Sequence, residues 1–328
     1  MSAVLSPRPG ASQRIAIVGS GISGMAAGWY LSAQHEVTLF EADSRLGGHT
    51  ATMDVNVAGN SYVIDTGFIV FNDWTYPHFQ RLMATLGIAS QATEMSFSVH
   101  ETARDFEYNG HTLGSLFAQR RNLFNPSFYR LLGDILRFNK QATKALESQQ
   151  LDNKELSEHM TLGEYLDRNH YNHDFQQRYL LPMGAAIWSA SISDLRAFPL
   201  AFFVRFFRNH GLLSVNHRPQ WYTLVGGSKS YIPSLTAPYA SRIHLNTPVT
   251  RITRNSTGVI ITTPSGTQRF DQVVLACHAD QALAMLGDAS RDEQAILGAM
   301  PYQDNEVVLH TDTALLPRRK RAWASWNY

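Results

Sequence analysis

"RIAIVGSGISGMAAGWYLSAQHEVTLFEADSRLGGHT", residues 14–50, decides the fold. Arg14–Val18 is a short β-branched run and reads as a buried parallel strand. It runs directly into "GSGISG", with glycines at 19, 21 and 24 and Ser23 between the last two. A helix follows, with Gly24, Ala27, Gly28 and Leu31 at i, i+3, i+4 and i+7. Three of those four are small, so the helix can lie close to a sheet. "EVTLFE" then reads as a second strand ending in Glu41, 22 positions after Gly19.

The pattern has a physical reading. Gly19 permits the tight turn out of the strand. Gly21 lacks a Cβ, so a pyrophosphate can approach the backbone. Gly24 allows close helix–strand packing. Unpaired N–H groups and the dipole at the helix N-terminus favour the anion. A carboxylate about 20 residues on accepts hydrogen bonds from ribose hydroxyls and repels a 2′-phosphate. The pattern therefore implies a dinucleotide without a 2′-phosphate.

The second glycine pair separates the dinucleotides. Ala42 follows the acid, and "RLGGHT" supplies Arg45, Gly47, Gly48 and His49. A nicotinamide fold needs nothing there. This stretch resembles the FAD-binding motif of the glutathione-reductase-like flavoproteins. Within them it is most similar to the branch holding flavin-containing amine oxidases, protoporphyrinogen oxidases and phytoene-type desaturases. The resemblance implies that Arg45-Leu46-Gly47-Gly48 lies along the diphosphate and ribityl chain. Family members often carry Arg where this chain has His49, so that contact is weaker or pH-dependent here. "VIDTGFIVFN" resembles the segment reaching the flavin ring, with Gly67, Phe68 and Ile69 at the matching positions. "QWYTLVGGSKSYIPSL" resembles the segment that returns the chain to the flavin domain. Val249 matches the residue whose backbone bonds the adenine. "MSFSV", "RNHGLLSV", "RPQW", "ACHADQAL" and "RAWASWNY" extend a resemblance to a group of bacterial FAD-dependent proteins over nearly the whole chain.

The fold expected is α/β: a Rossmann-like FAD-binding domain of glutathione-reductase type, interrupted by a mostly helical substrate-domain insertion. The expected bounds are 12–86 and 220–328 for the flavin domain and 87–219 for the insertion. Residues 1–11 read as a mobile tail. The two parts are expected to share an interface holding the substrate site. Pro77 starts a helix that Gly87 closes, and Asn125-Pro126 starts a long one. "TLGE" (161–164) is a capping box. Met95, Phe97 and Val99 alternate as a strand, and Asn109-Gly110 reads as a hairpin turn. Turns near 256–258 and 264–266 divide a run of three or four alternating β segments.

The 328 residues are 44% hydrophobic and 17% charged, with a formal net charge of +1. That balance argues against a nucleic-acid partner. One cysteine, Cys277, excludes an intrachain disulfide and fits a reducing compartment. No secretory leader or membrane span is visible, so a cytoplasmic address is expected. His170 and His173 form H-x-x-H without a third ligand or glutamate, so no metal site is expected.

No catalytic side chain stands out, which suits chemistry carried by FAD. The aromatic run "FPLAFFVRFFRNHGLL" (198–213) has two readings: buried core, or a greasy wall for a lipid-like substrate. "RRNLFNPSFYRLLGDILRFNK" is basic and amphipathic enough to touch anionic lipid as a peripheral contact. The resemblance implies a lysine near the flavin in amine oxidases, but "PYQDNEVVLHTD" (301–312) has none. Relatives are expected to continue into a final strand and helix with a further flavin contact. The activity expected is FAD-dependent oxidation, with hydride transfer from a small apolar molecule such as a fatty-acyl or other lipid compound. Amine oxidation and a non-catalytic dinucleotide-binding remnant stay open. An NAD-dependent dehydrogenase is disfavoured by "RLGGHT". A disulfide reductase is disfavoured because the chain has no cysteine pair.

Overall fold

The computed structural model describes residues 11–147, 160–214 and 216–328. Residues 1–10 of the expected tail, 1–11, lie outside them. The chain divides into two compact units. Unit 1 holds residues 1–70, 81–91 and 223–307; unit 2 holds 71–80, 92–222 and 308–328.

Unit 1 is built on four parallel strands. They are β1 (Arg14–Val18), β2 (Glu36–Phe40), β5 (Ile243–His244) and β9 (Gln272–Leu275), in the order β5-β2-β1-β9. Helix α1 (Ile22–Leu31) is the crossover from β1 to β2. Successive side chains of a strand point to opposite faces, and the cores follow that rule. Ile17, Val37 and Leu39 pack with Tyr239, Ala27 and Leu31. Ala16, Val18 and Phe40 pack with Ile252, Ile261 and Phe270 on the other face. These last residues belong to an antiparallel meander of β6 (Arg251–Asn255), β7 (Gly258–Thr263) and β8 (Gly266–Phe270). A separate hairpin, β3 (Thr52–Val57) and β4 (Asn60–Asp65), follows the second glycine pair.

Where the chain passes from unit 1 into the last segment of unit 2, residues 301–312 adopt neither helix nor strand. Among the described residues, 305–309 pair with no strand. Val307, Val308 and Leu309 are 71%, 67% and 49% exposed.

Unit 2 is mostly helical. Its core gathers Phe138 from helix Pro126–Glu147, Leu162 and Leu166 from Leu162–Arg168, and Phe203 and Phe207 from Leu200–Asn209. Thr161 and Glu164 form the expected reciprocal cap. A π-helical turn, Gln176–Leu180, precedes helix Leu181–Trp188. Pro182 cannot donate to the Arg178 carbonyl four residues back. That carbonyl accepts the buried Tyr108 hydroxyl at 2.7 Å.

The hairpin of unit 2 differs from the sequence reading. Its strands are Phe97–Glu101 and Phe106–Asn109, so Met95 lies outside. The turn is Thr102–Asp105, because Asp105 takes the left-handed conformation at φ 44°. Asn109-Gly110 instead ends the second strand; the Asn109 carboxamide caps its own loop by accepting from the His111 N–H.

Residues 308–328, grouped on sequence with the flavin domain, cluster with unit 2. Trp326–Asn327 pairs in parallel with Phe97–Ser98. The Arg318 and Arg319 N–H groups both donate to the buried Glu107 carboxylate. No helix among the described residues is long and apolar enough to cross a membrane.

Candidate functional site

The site grows from the β1–α1 turn. Gly19 has φ +100°, and a Cβ there would stand 2.6 Å from the Ala276 carbonyl oxygen. A Cβ on Gly24 would stand 2.0 Å from the Gly19 carbonyl oxygen. Both glycines are therefore required by the turn itself. Gly21 is different: its φ is −60° and a Cβ there would meet nothing within 4 Å. The open space over Gly21 lies at the start of α1, which has no side-chain cap and no acid in its first turn. The first N–H groups of such a helix lack intrahelical partners.

The second glycine pair docks on this loop. Gly47 donates its N–H to the Ser20 carbonyl at 3.1 Å and pairs with Gly21 in a parallel bridge. Gly47 and Gly48 have φ +116° and +55°, and a Cβ on Gly48 would lie 3.2 Å from Gly21 Cα. Arg45 braces the turn by donating to the Gly48 carbonyl at 3.0 Å. Gly67 comes so close that its Cβ would sit 2.1 Å from the His49 carbonyl oxygen, which accepts the Phe68 N–H at 2.9 Å. Ile69 is 48% exposed just beyond. Segments 19–24, 45–49 and 67–69 thus form one continuous backbone surface with few side chains over it.

Glu41 stands at the C-terminal end of β2. Its Oε2 accepts from the Ser20 N–H at 2.8 Å and the Ser20 hydroxyl at 2.5 Å. Its Oε1 accepts from the Asp43 N–H at 2.9 Å. Ala42 beside it is exposed. Val249 packs against Val18 and Phe40 in the core beneath, and among the described residues no group bonds its own N–H or C=O.

Several contributors were not read from the sequence. Ser20 ties Glu41 to Gly47, and its only signal was its place between two glycines. Asp65 accepts from the Ser228 N–H and hydroxyl and from the Thr52 hydroxyl, fastening the end of β4. Thr50 and Tyr231 share a buried hydrogen bond. Burial raises the Tyr231 phenol pKa, and the bond to Thr50 opposes that rise. His49 stacks on His278 at 5.5 Å, and His278 stacks on Tyr302 at 4.4 Å. Cys277 is half-buried and its thiol pKa is raised, chiefly by desolvation.

The donor set fits FAD. The uncovered Gly21, the uncapped helix start and the free backbone of Val249 are what an elongated anionic dinucleotide needs. Gly19, Gly21, Ser23, Gly24, Glu41, Ala42, Arg45, Gly47, Gly48, His49, Gly67, Phe68, Ile69 and Val249 all fall within unit 1.

Comparison with known proteins bears on the family and the fold. The profile of the flavin containing amine oxidoreductases matches residues 22–320. A Mycobacterium tuberculosis protein named "Putative flavin-containing monoamine oxidase AofH" is 26% identical over 276 residues, covering 80% of this chain and 56% of its own length. Cyclohexylamine oxidase from Brevibacterium oxydans superposes with a TM-score of 0.65 at 18% identity, over 88% of this chain and 63% of that one. A fatty acid isomerase from P. acnes superposes with a TM-score of 0.61 at 19% identity, over 89% of this chain and 64% of that one. The chain therefore spans between half and two thirds of the length of these proteins. By the extent of the profile match, and with the glycine-rich surface described above, the chain belongs to the flavin-containing amine oxidoreductase family.

Proposed function

We propose that the protein is an FAD-dependent oxidoreductase acting on a hydrophobic molecule, with the cofactor held non-covalently on unit 1. The observation that carries the cofactor reading is the docking of Gly47-Gly48 onto Gly21 beside an uncapped helix start. The α1 N–H groups and the backbone of 47–49 would hold the diphosphate. Glu41 would hold the adenosine ribose, and the Val249 backbone the adenine. Segment 67–69 would stand at the ring. Bound there, FAD supplies a two-electron hydride acceptor.

The substrate reading rests on unit 2. Helix Leu200–Asn209 has one face in the core, with Phe203 and Phe207 nearly inaccessible. Its other aromatic face is only half covered. Trp188 lies 5.0 Å from Phe198 and 4.7 Å from Phe206, and Phe206 stacks on His210 at 3.9 Å. Phe202 is 52% exposed. Such a wall favours an acyl chain, at about 0.8 kcal/mol per buried CH₂. The lysine-free segment 301–312 points away from amine oxidation by the usual arrangement. Amine oxidation is the second reading, favoured by the family and by the attraction of aromatic faces for cations. Its structural neighbours include both a fatty acid isomerase and an amine oxidase, so the fold does not choose.

Anaerobic flavin reduction tests the choice. Fatty-acyl compounds should reduce the flavin more efficiently as the chain lengthens, until the wall is filled. Rapid reduction by a short polar amine, with no response to any acyl compound, would overturn the lipid reading.

A further inference from the structure

Unit 2 carries a second feature that the flavin reading does not use. Two turns meet on its surface, Arg120–Phe124 and Lys320–Ala322. Each is fastened from inside. Gln119 is buried; its amide donates to the Asp105 carbonyl at 2.5 Å, and its oxygen accepts the Glu107 N–H at 3.1 Å. Asn122 is buried and donates to the Glu107 carbonyl at 3.3 Å. Ala322 is wholly buried. With Gln119, Asn122 and Ala322 pointing in, the residues between them must point out.

What points out is cationic and apolar together. A surface pocket of about 520 Å³ is lined by Arg120, Arg121, Arg319, Lys320 and Arg321. Asp105 pairs with Arg121 at 3.2 Å, and buried Glu107 pairs with Arg319 at 2.6 Å. Among the described residues no ion pair engages Arg120, Lys320 or Arg321. Lys320 lies 6.0 Å from the Trp323 ring, which leaves its charge in place. Next to these cations Phe124 is 87% exposed. Leu113 is 78% exposed, on the short helix Leu113–Leu116 that packs against Lys320–Ala322. The backbone around Phe124 is fixed, since the Tyr129 hydroxyl donates to the Leu123 carbonyl at 2.9 Å. A Phe held outward by a braced turn gains nothing from water or from a small soluble anion.

We propose that this face docks on a phospholipid bilayer containing anionic lipid. Arg120, Lys320 and Arg321 meet the headgroups, and Phe124 and Leu113 enter the acyl boundary. Charge complementarity selects the anionic leaflet, and the paired apolar tips distinguish a bilayer from a soluble polyanion.

The test is co-sedimentation of the full chain with phosphatidylcholine vesicles, with and without phosphatidylglycerol. Binding is expected only to the mixed vesicles, weakening as salt rises. The triple variant Arg120→Gln, Lys320→Gln, Arg321→Gln should bind roughly a hundredfold more weakly. Phe124→Ser should bind about tenfold or more weakly while melting at the wild-type temperature. Absence of binding to the mixed vesicles overturns the proposal, as does binding that neither variant changes. Retention on heparin without vesicle binding would assign the pocket to a soluble polyanion and overturn it equally.

Discussion

A methyl group added at Gly21 and one added at Gly24 meet different surroundings, and the difference separates folding from binding. At Gly21 the position is open and the backbone ordinary. Gly21→Ala should therefore melt within about 0.5 kcal/mol of wild type, yet bind FAD at least about tenfold more weakly by flavin titration. Wild-type affinity in that variant would place the ligand elsewhere. At Gly24 the new methyl would collide with the Gly19 carbonyl. Gly24→Ala should cost about 1–3 kcal/mol or more in chemical denaturation, before any ligand is considered. In the proposed site Glu41 would combine both roles. Hydrogen bonds to a charged group are worth about 1.5–3 kcal/mol each. Glu41→Ala should weaken FAD roughly ten- to several-hundred-fold, and also lower the melting temperature, because Ser20 and Asp43 lose their acceptor. Unchanged affinity in a folded variant would show that Glu41 does not hold the ribose. The glycines were legible in the sequence because each serves a turn within a few residues. The tie from Ser20 to Gly47 was not, because it joins residues 27 apart through a fold that must already exist.

Elements were legible where the punctuation is local. Pro126 opens a helix, Thr161-x-x-Glu164 caps one, and Gly211 at φ 68° follows another. The hairpin turn was misplaced because Asn-Gly is a strong local signal that tertiary bonding overrode. Its Asn is drawn to the Trp323 carbonyl, 214 residues away. Long-range bonding also sustains the π-helical turn. Tyr108→Phe removes the hydroxyl donor from the buried Arg178 carbonyl, and should cost about 1–3 kcal/mol in denaturant unfolding. A negligible cost would mean that the turn does not depend on Tyr108. In unit 1, Arg254 pairs with Glu293 at 2.5 Å and with Asp288 at 3.1 Å. The bond from Arg254 lowers the Glu293 pKa from 4.5 to about 2. A depressed carboxylate stabilises the fold above its unfolded pKa and loses that contribution as the pH falls through its folded value. The melting-temperature gap between wild type and Glu293→Gln should therefore be present at neutral pH and close as the pH falls from 4.5 to about 2. A gap that widens in acid would reverse the assignment.

For the molecule as a whole, the cofactor should act as a folding ligand. Saturation at a hundred times Kd adds about 2.7 kcal/mol, so FAD should raise the melting temperature by several degrees, while NADPH should not. Acid precipitation should leave the flavin in solution, as the proposed non-covalent attachment requires; colour retained in the pellet would show a covalent bond. Composition and charge set the broad class of the chain from sequence alone. The membership of residues 308–328 in unit 2 was hidden, because it depends on a buried carboxylate at 107 and a two-residue strand that no periodicity marks.

The exposed stretch at 305–309, outside any helix or strand, has a consequence for the handling of the protein. A protease must draw several accessible residues into its cleft, and here exposed residues outside any helix or strand are offered to it. Limited digestion should cut the chain there first. The short C-terminal piece would stay in place through Trp326–Asn327 and the Arg319–Glu107 pair. Nicked protein should then migrate as one species in a native gel and as two in a denaturing one.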